Sequence, residues 1–249
     1  MWKKSSDPYF NCEDLINFHL STFHNRSNLS GNRINTNAIF PPKGSMDVNG
    51  ISIDNDESLD FDKKIEDLFN KRRTSWEFNQ RMTVETLNCI LKNALGVTAV
   101  DPVKKRAYPS AGCLFSVNIY VYLRNFNDTR LDDKVFKYNP ESKQLLEVNA
   151  LSIKEINKIC SSTMLTQKSF ENANCVFFFT SDLVTLFQKY GKLAYRLSFL
   201  EAGHICENIQ LLGCHFDLSC VPIGGFYDEY VQEIIKNDTE YCLYILGMG

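Results

Sequence analysis

Six consecutive residues, Cys175-Val176-Phe177-Phe178-Phe179-Thr180, leave this chain few ways to fold. The run has strand length and no polar alternation, so a strand formed there is buried on both faces. Such a strand belongs inside a sheet with layers packed on each side, and the surrounding pattern offers those layers. Thr83 is a good N-cap, and Val84, Leu87, Ile90, Leu91, Ala94 and Leu95 form an apolar stripe that Gly96 ends. The longest helical pattern runs from Tyr190 to Gly213, with Leu193, Ala194, Leu197, Leu200, Ile205, Ile209 and Leu212 apolar. Shorter helices are expected over Asp60–Lys71, Ser152–Cys160 and Asp228–Lys236.

Strands are expected over Val117–Leu123, which alternates, over Leu218–Val221 and over Tyr241–Leu246. Asn139-Pro140-Glu141-Ser142 reads as a hairpin turn. Strands and helices mix without a regular βαβ rhythm, which favours a layered α+β domain over a doubly wound sheet. Residues 1–56 differ in composition: they are rich in Asn, Ser and Asp, and only Leu15–Phe23 has apolar periodicity. They read as an arm, irregular from Asn25 to Asp56, that packs on a domain spanning residues 57–249. A chain of 249 residues is long enough for one such domain with a real core.

The charge balance excludes some functions. A net charge of −3 with no basic stripe gives no footprint for nucleic acid, and Lys71-Arg72-Arg73 is too short to make one. No apolar run is long enough to span a membrane, and polar residues follow Met1-Trp2-Lys3-Lys4 where a signal peptide would be apolar. A soluble cytoplasmic protein is expected. The nine cysteines are odd in number and lack any CxxC pair, so they read as buried free thiols rather than disulfides or a zinc site. His204 and Glu207 stand one helical turn apart, but no second pair completes a metal site, and His204 reads as a core histidine. No metal is expected. His19 and His24 carry no motif.

Four segments could carry chemistry. Arg72-Arg73-Thr74-Ser75 offers two planar guanidinium forks and two hydroxyls, a set suited to phosphate, or else a solvated helix end. Tyr108-Pro109-Ser110-Ala111-Gly112 combines a fixed φ, a hydroxyl donor and a flexible residue, and is either a ligand turn or an ordinary entry into a strand. Pro222-Ile223-Gly224-Gly225 can expose backbone N–H groups to a ring nitrogen, or can be a tight loop. Lys189-Tyr190 can move protons if the lysine's surroundings favour its neutral form, or can be a surface dipeptide.

The order of these pieces resembles the nitroreductase superfamily from about Lys64 to Gly249, and within it the SagB-type dehydrogenases that oxidise azoline rings in ribosomal peptides. The resemblance rests on Arg72-Arg73-Thr74, Pro109-Ser110-Ala111-Gly112, Lys189-Tyr190-Gly191, Tyr195-Arg196, Leu200-Glu201-Ala202-Gly203-His204, Asn208 and Pro222-Ile223-Gly224-Gly225-Phe226. LEAGH followed by PIGGF is its sharpest pair.

The resemblance implies a nitroreductase-like layered fold, with a mixed or antiparallel sheet flanked by helices, working as a homodimer with FMN at the interface. Arg72, Arg73 and Thr74 would hold the FMN phosphate. Pro109, Ser110 and Gly112 would line the flavin from the partner subunit, and Ile223, Gly224 and Gly225 would approach its ring. Lys189 and Tyr190 fall on the family's catalytic pair. Trp76 stands where relatives often carry a third basic residue, so Arg106 and Arg196 are candidates to complete the phosphate site. Phe115-Ser116 replaces the usual Tyr-Pro. The implied activity is oxidation of thiazoline or oxazoline to thiazole or oxazole in a precursor peptide, with dioxygen reoxidising the flavin and a cyclodehydratase partner making the azoline. An NAD(P)H-dependent nitro- or quinone reductase and a non-catalytic scaffold subunit are the alternatives.

Overall fold

The structure is a computed structural model, and it describes residues 12–21, 62–160 and 170–249. The expected irregular stretch Asn25–Asp56, and His24, lie outside the described residues.

The chain forms helices α1 (Cys12–Ser21), α2 (Lys63–Lys71) and α3 (Val84–Leu95) before its first strands. A two-stranded hairpin, β1 (Val97–Val100) with β2 (Lys104–Arg106), precedes the main sheet. The sheet comprises β3 (Val117–Leu123), β4 (Lys134–Asn139), β5 (Gln144–Ala150), β6 (Cys175–Ser181), β7 (Cys220–Ile223) and β8 (Tyr241–Met248). The remaining helices are α4 (Ile153–Ile156), α5 (Leu183–Tyr190), α6 (Leu193–His215) and α7 (Asp228–Ile235).

The sheet order is β5-β4-β3-β6-β8-β7, and every pairing between these strands is antiparallel. Strand β6 lies inside it, and all seven of its residues are buried. Its side chains alternate between two cores. Phe177 and Phe179 join Ile119 and Val121 of β3 under α3 and α6, while Val176 and Phe178 join Tyr120, Tyr122, Ile156 and Val231 on the opposite face. The apolar run at Cys175 therefore has a layer on each side, as its lack of polar positions requires. Pro222 sits in β7, an edge strand, where a missing N–H costs no ladder bond.

Helix α3 begins at Thr83, whose hydroxyl accepts the Thr86 N–H at 3.2 Å, and ends at Gly96 as expected. The turn at Asn139 joins β4 to β5 through its side chain, which accepts the N–H groups of Glu141 and Ser142. Three expectations are revised. The Ser152–Cys160 helix is a single α turn followed by a 3-10 turn over Asn157–Ile159. The strand expected at Leu218–Val221 runs Cys220–Ile223. The helix from Tyr190 to Gly213 is not continuous at its start, because Gly191 adopts φ 54° and breaks α5 from α6. Lys189 and Tyr190 thus end one helix rather than open the next.

Helix α1 packs on this break. Leu15 shares a small core with Leu183, Leu186 and Ala194. His19, buried beside the rings of Tyr195 and Tyr241, is pushed down to about 4 by burial. The cysteines are split: Cys160, Cys175, Cys206, Cys220 and Cys242 are buried as expected, whereas Cys113 is exposed. Among the described residues no helix is long and apolar enough to cross a membrane.

Candidate functional site

The functional residues are arranged along α6, whose 23 residues make it roughly 34 Å long at 1.5 Å per residue. Near its start, α5 delivers Lys189 and Tyr190 onto the turn at Pro109–Gly112. Gly112 has φ 57°, in the left-handed region that favours glycine. A Cβ there would stand 2.6 Å from Lys189 Nζ and would also strike the Tyr190 hydroxyl, so only glycine lets both side chains lie against this turn. Lys189 is exposed, and its ammonium lies 5.4 Å from the centre of the Tyr190 ring.

The turn is held by a buried carboxylate. Ser110 donates its hydroxyl to Glu201 Oε2 at 2.6 Å and accepts the Phe115 N–H at 2.8 Å. Ser116 donates to the same oxygen at 3.3 Å, and the Val117 N–H donates to Oε1 at 3.0 Å. The Ser110 hydroxyl, which the sequence offers as a ligand donor, is thus engaged within the subunit. Pro109 is exposed beside it. The Phe115-Ser116 pair gives a ring that carries the Arg106 guanidinium 4.4 Å from its centre and a hydroxyl for Glu201. Arg106 also donates to the Tyr108 hydroxyl at 2.7 Å, so it is occupied on this side of the molecule. The turn, Arg106 and the Lys-Tyr pair form one group.

A second group lies farther along α6. Strand β7 is bridged in parallel to Thr74 at Cys220, and the Ser75 N–H donates to the Cys220 carbonyl at 2.9 Å. These bonds hang the Arg72–Ser75 segment on the sheet edge. They create a cleft of about 280 Å³ lined by Lys71, Arg72, Arg73, Ser75 and the end of α6 near Cys214. Arg72 contacts Glu207 at 3.4 Å, and Arg73 donates to the Arg72 carbonyl at 2.7 Å, so both guanidiniums are oriented with donors left over. Thr74 is placed through its backbone. The buried thiols of Cys206 and Cys220 are pushed up to about 12, chiefly by burial, and stay protonated.

From Cys220, β7 leads through buried Ile223 to Gly224 and Gly225, roughly 13 Å along at about 3.3 Å per residue. Gly224 borders an apolar cleft of about 290 Å³ with Phe199, Ala202, Gly203 and Tyr244. Added there, a Cβ would meet only a Tyr244 ring carbon at 3.9 Å, so the glycine leaves its backbone open to the cleft. A cationic cleft, a connecting strand and an apolar, flat-walled cleft fit the phosphate, sugar chain and ring of FMN. Arg72 and Arg73 would hold the phosphate, and Gly224 and Gly225 would meet the ring.

The remaining expected residues lie outside both clefts. Trp76 packs on Phe78 and Phe170. Arg196 lines a separate surface cleft with Lys192, Leu193 and Tyr195. His204, expected in the core, is exposed, and its ring Nδ1 pairs with the Leu200 carbonyl at 2.6 Å. Glu201 was missed as a site residue. Its signal was an acidic residue inside an otherwise apolar helix stretch.

Glu201, which holds the turn, and Glu207, which contacts Arg72, are six positions apart, about 9 Å of helix, and the Asn208 amide donates to the Ala107 carbonyl at 3.3 Å, so the two groups approach each other along α6. Toward its start α6 exposes Leu193, Phe199 and Leu200. Apolar side chains left outside on a long helix mark a face that another surface can cover.

Several known proteins are similar to this chain. The protein named "Putative nitroreductase MJ1384" from Methanocaldococcus jannaschii is 29% identical over 187 residues, 75% of this chain and 90% of its own length. The Microcin B17-processing protein McbC of Escherichia coli is 25% identical over 164 residues, 64% of this chain and 58% of that protein. A chain of the E. coli microcin synthetase McbBCD complex, with truncated pro-MccB17 bound, superposes with a TM-score of 0.71 at 19% identity and covers 97% of this chain and 94% of its own. The model of the nitroreductase family matches residues 70–249, which include both groups described above. The chain belongs to the nitroreductase family.

Proposed function

We propose that this protein is an FMN-dependent oxidoreductase that converts thiazoline or oxazoline rings of a precursor peptide to thiazole or oxazole, working as a homodimer. The observation that carries the reading is the seat of Lys189 and Tyr190 on Gly112, a base and a phenol side by side on a turn without a side chain. Azoline oxidation needs such a pair, because a proton must leave the ring carbon next to the one that gives up hydride. When bound, FMN would supply the two-electron acceptor.

Lys189 Nζ removes that proton, and the Tyr190 hydroxyl orients the lysine or passes the proton on. Because Lys189 is exposed in the single subunit, its desolvation has to come from the peptide ring and a facing surface. A homodimer supplies that surface. Two copies of α6 laid antiparallel along their exposed Leu193–Leu200 faces would bring the Lys-Tyr group of one to the cationic and apolar clefts of the other. The precursor peptide and a cyclodehydratase that first forms the azoline are the partners this chemistry requires. The likeness to McbC, a microcin-processing protein, supports this choice of substrate.

The test is to load the purified protein with FMN and supply an azoline-containing peptide. Loss of two hydrogens per ring by mass spectrometry, abolished in Lys189→Ala with flavin retained, is expected. A Lys189→Ala variant that oxidises the peptide at the full rate would overturn the assignment. The likeness to the M. jannaschii protein, longer and higher in identity than that to McbC, favours a second reading, a nitro- or quinone reductase. Rapid bleaching of the flavin by NADPH, with turnover of nitroaromatics and none of azolines, would select it.

A further inference from the structure

Glu201 is a carboxylate in the middle of α6, 3% exposed. Its oxygens accept the hydroxyls of Ser110 and Ser116 and the N–H of Val117. The donors belong to the turn, to the residue before β3 and to the first residue of β3. A buried acid is costly unless it is fully hydrogen-bonded, and an apolar residue would fill the same space without that cost. What Glu201 adds is a fixed distance: two oxygens at the end of a two-methylene arm tie the helix to three points of one loop. The Ser110 oxygen then accepts from Phe115 N–H, which closes the loop on itself at 2.8 Å. Gly112 lies inside this loop, and Lys189 and Tyr190 rest where its Cβ would be.

We infer that Glu201 is a positioning residue, one that pins the Pro109–Gly112 turn to α6 and thereby sets the place of Lys189 and Tyr190. This rests on the proposed function for what the pair does, but not for the coupling itself. Charge and reach can be separated. Glu201→Gln keeps the length and loses the second acceptor, whereas Glu201→Asp keeps the charge and shortens the arm by one methylene. A displacement of about 1 Å near reacting atoms costs on the order of a hundred-fold in rate.

The experiment measures both variants in two states. In the FMN-loaded dimer, kcat for azoline oxidation is expected to fall about ten- to a hundred-fold in both, with KM within about two-fold of wild type. In the cofactor-free protein, amide exchange at Phe115 and Val117 is expected to quicken at least about ten-fold while the rest of β3 stays protected. If either variant fails to fold, the Ser110→Ala/Ser116→Ala double variant is read by the same two measurements. An unchanged kcat, a loss expressed in KM alone, or unchanged exchange at Phe115 and Val117 overturns the inference. If the wild-type protein does not oxidise azolines, the proposed function fails, and the exchange result still decides the role of Glu201.

Discussion

Single residues account for the chemistry here through what holds them. Arg72 and Arg73 are each steadied by one contact, to Glu207 and to a backbone carbonyl, and keep further donors over the cleft at the end of α6. Charged hydrogen bonds are worth about 1.5–3 kcal/mol each, so Arg72→Ala/Arg73→Ala should weaken FMN binding by roughly a hundred-fold or more while the fold survives. Fluorescence titration with FMN reads this directly, and undiminished affinity would remove the phosphate from this cleft. Tyr190→Phe keeps the ring against Lys189 and loses only the hydroxyl, so it should slow azole formation less than Lys189→Ala. A general base contributes about 10²–10⁴-fold. Equal losses in stopped-flow flavin reduction would show that the phenol is as necessary to the proton transfer as the amine.

These residues are named through the resemblance, because by type alone each keeps a second reading as a helix end, a tight loop or a surface dipeptide. Ser110 was legible as a polar residue in a turn, but its donor is spent on Glu201, and only the fold shows that. Glu201 was hidden because its partners lie 84 to 91 positions away in the chain.

At the scale of elements, periodicity and capping were enough where burial is simple. The α3 cap and stop and the two-faced burial of β6 appear as the pattern requires, whereas β3, whose alternation reads as one buried face, is buried on both, Tyr120 and Tyr122 included. The β1–β2 hairpin escaped because its residues are mostly exposed and carry no apolar alternation. Helix α5 escaped, and the pattern of α6 was carried back to Tyr190, because both segments are apolar-rich on either side of Gly191. The break depends on the backbone of Gly191.

Helix α1 docks on that break through His19, and its docking should depend on pH. His19 is held neutral in the folded state, with its pKa down at about 4 from an ordinary value near 6.5. The unfolded arm binds a proton below about 6.5 and the docked arm does not, so docking is full above that value and weakens as pH falls toward 4. The protection factors of residues 12–21, exchange referred to its intrinsic rate at each pH, should fall as pH drops between these two values in the wild type. The same change in a His19→Phe variant would assign it to another group.

For the whole molecule, the proposed dimer makes the sharpest claim: the Lys-Tyr group of one copy would meet the cationic cleft of the other. On that proposal each subunit offers two half-sites, and the exposed Leu193, Phe199 and Leu200 would supply the face for a second copy. Such a site makes a prediction about mixed subunits that a self-contained one cannot meet. Lys189→Ala and Arg72→Ala/Arg73→Ala dimers, each inactive, should regain about a quarter of wild-type azoline oxidation after they are unfolded together and refolded, because half of the dimers are mixed and each holds one intact site. The measurement is the rate of hydrogen loss from the peptide ring, read by mass spectrometry on the refolded mixture. Recovery near that level is the predicted result. A mixture as inactive as its parents would place both groups in a site within one subunit and contradict the account.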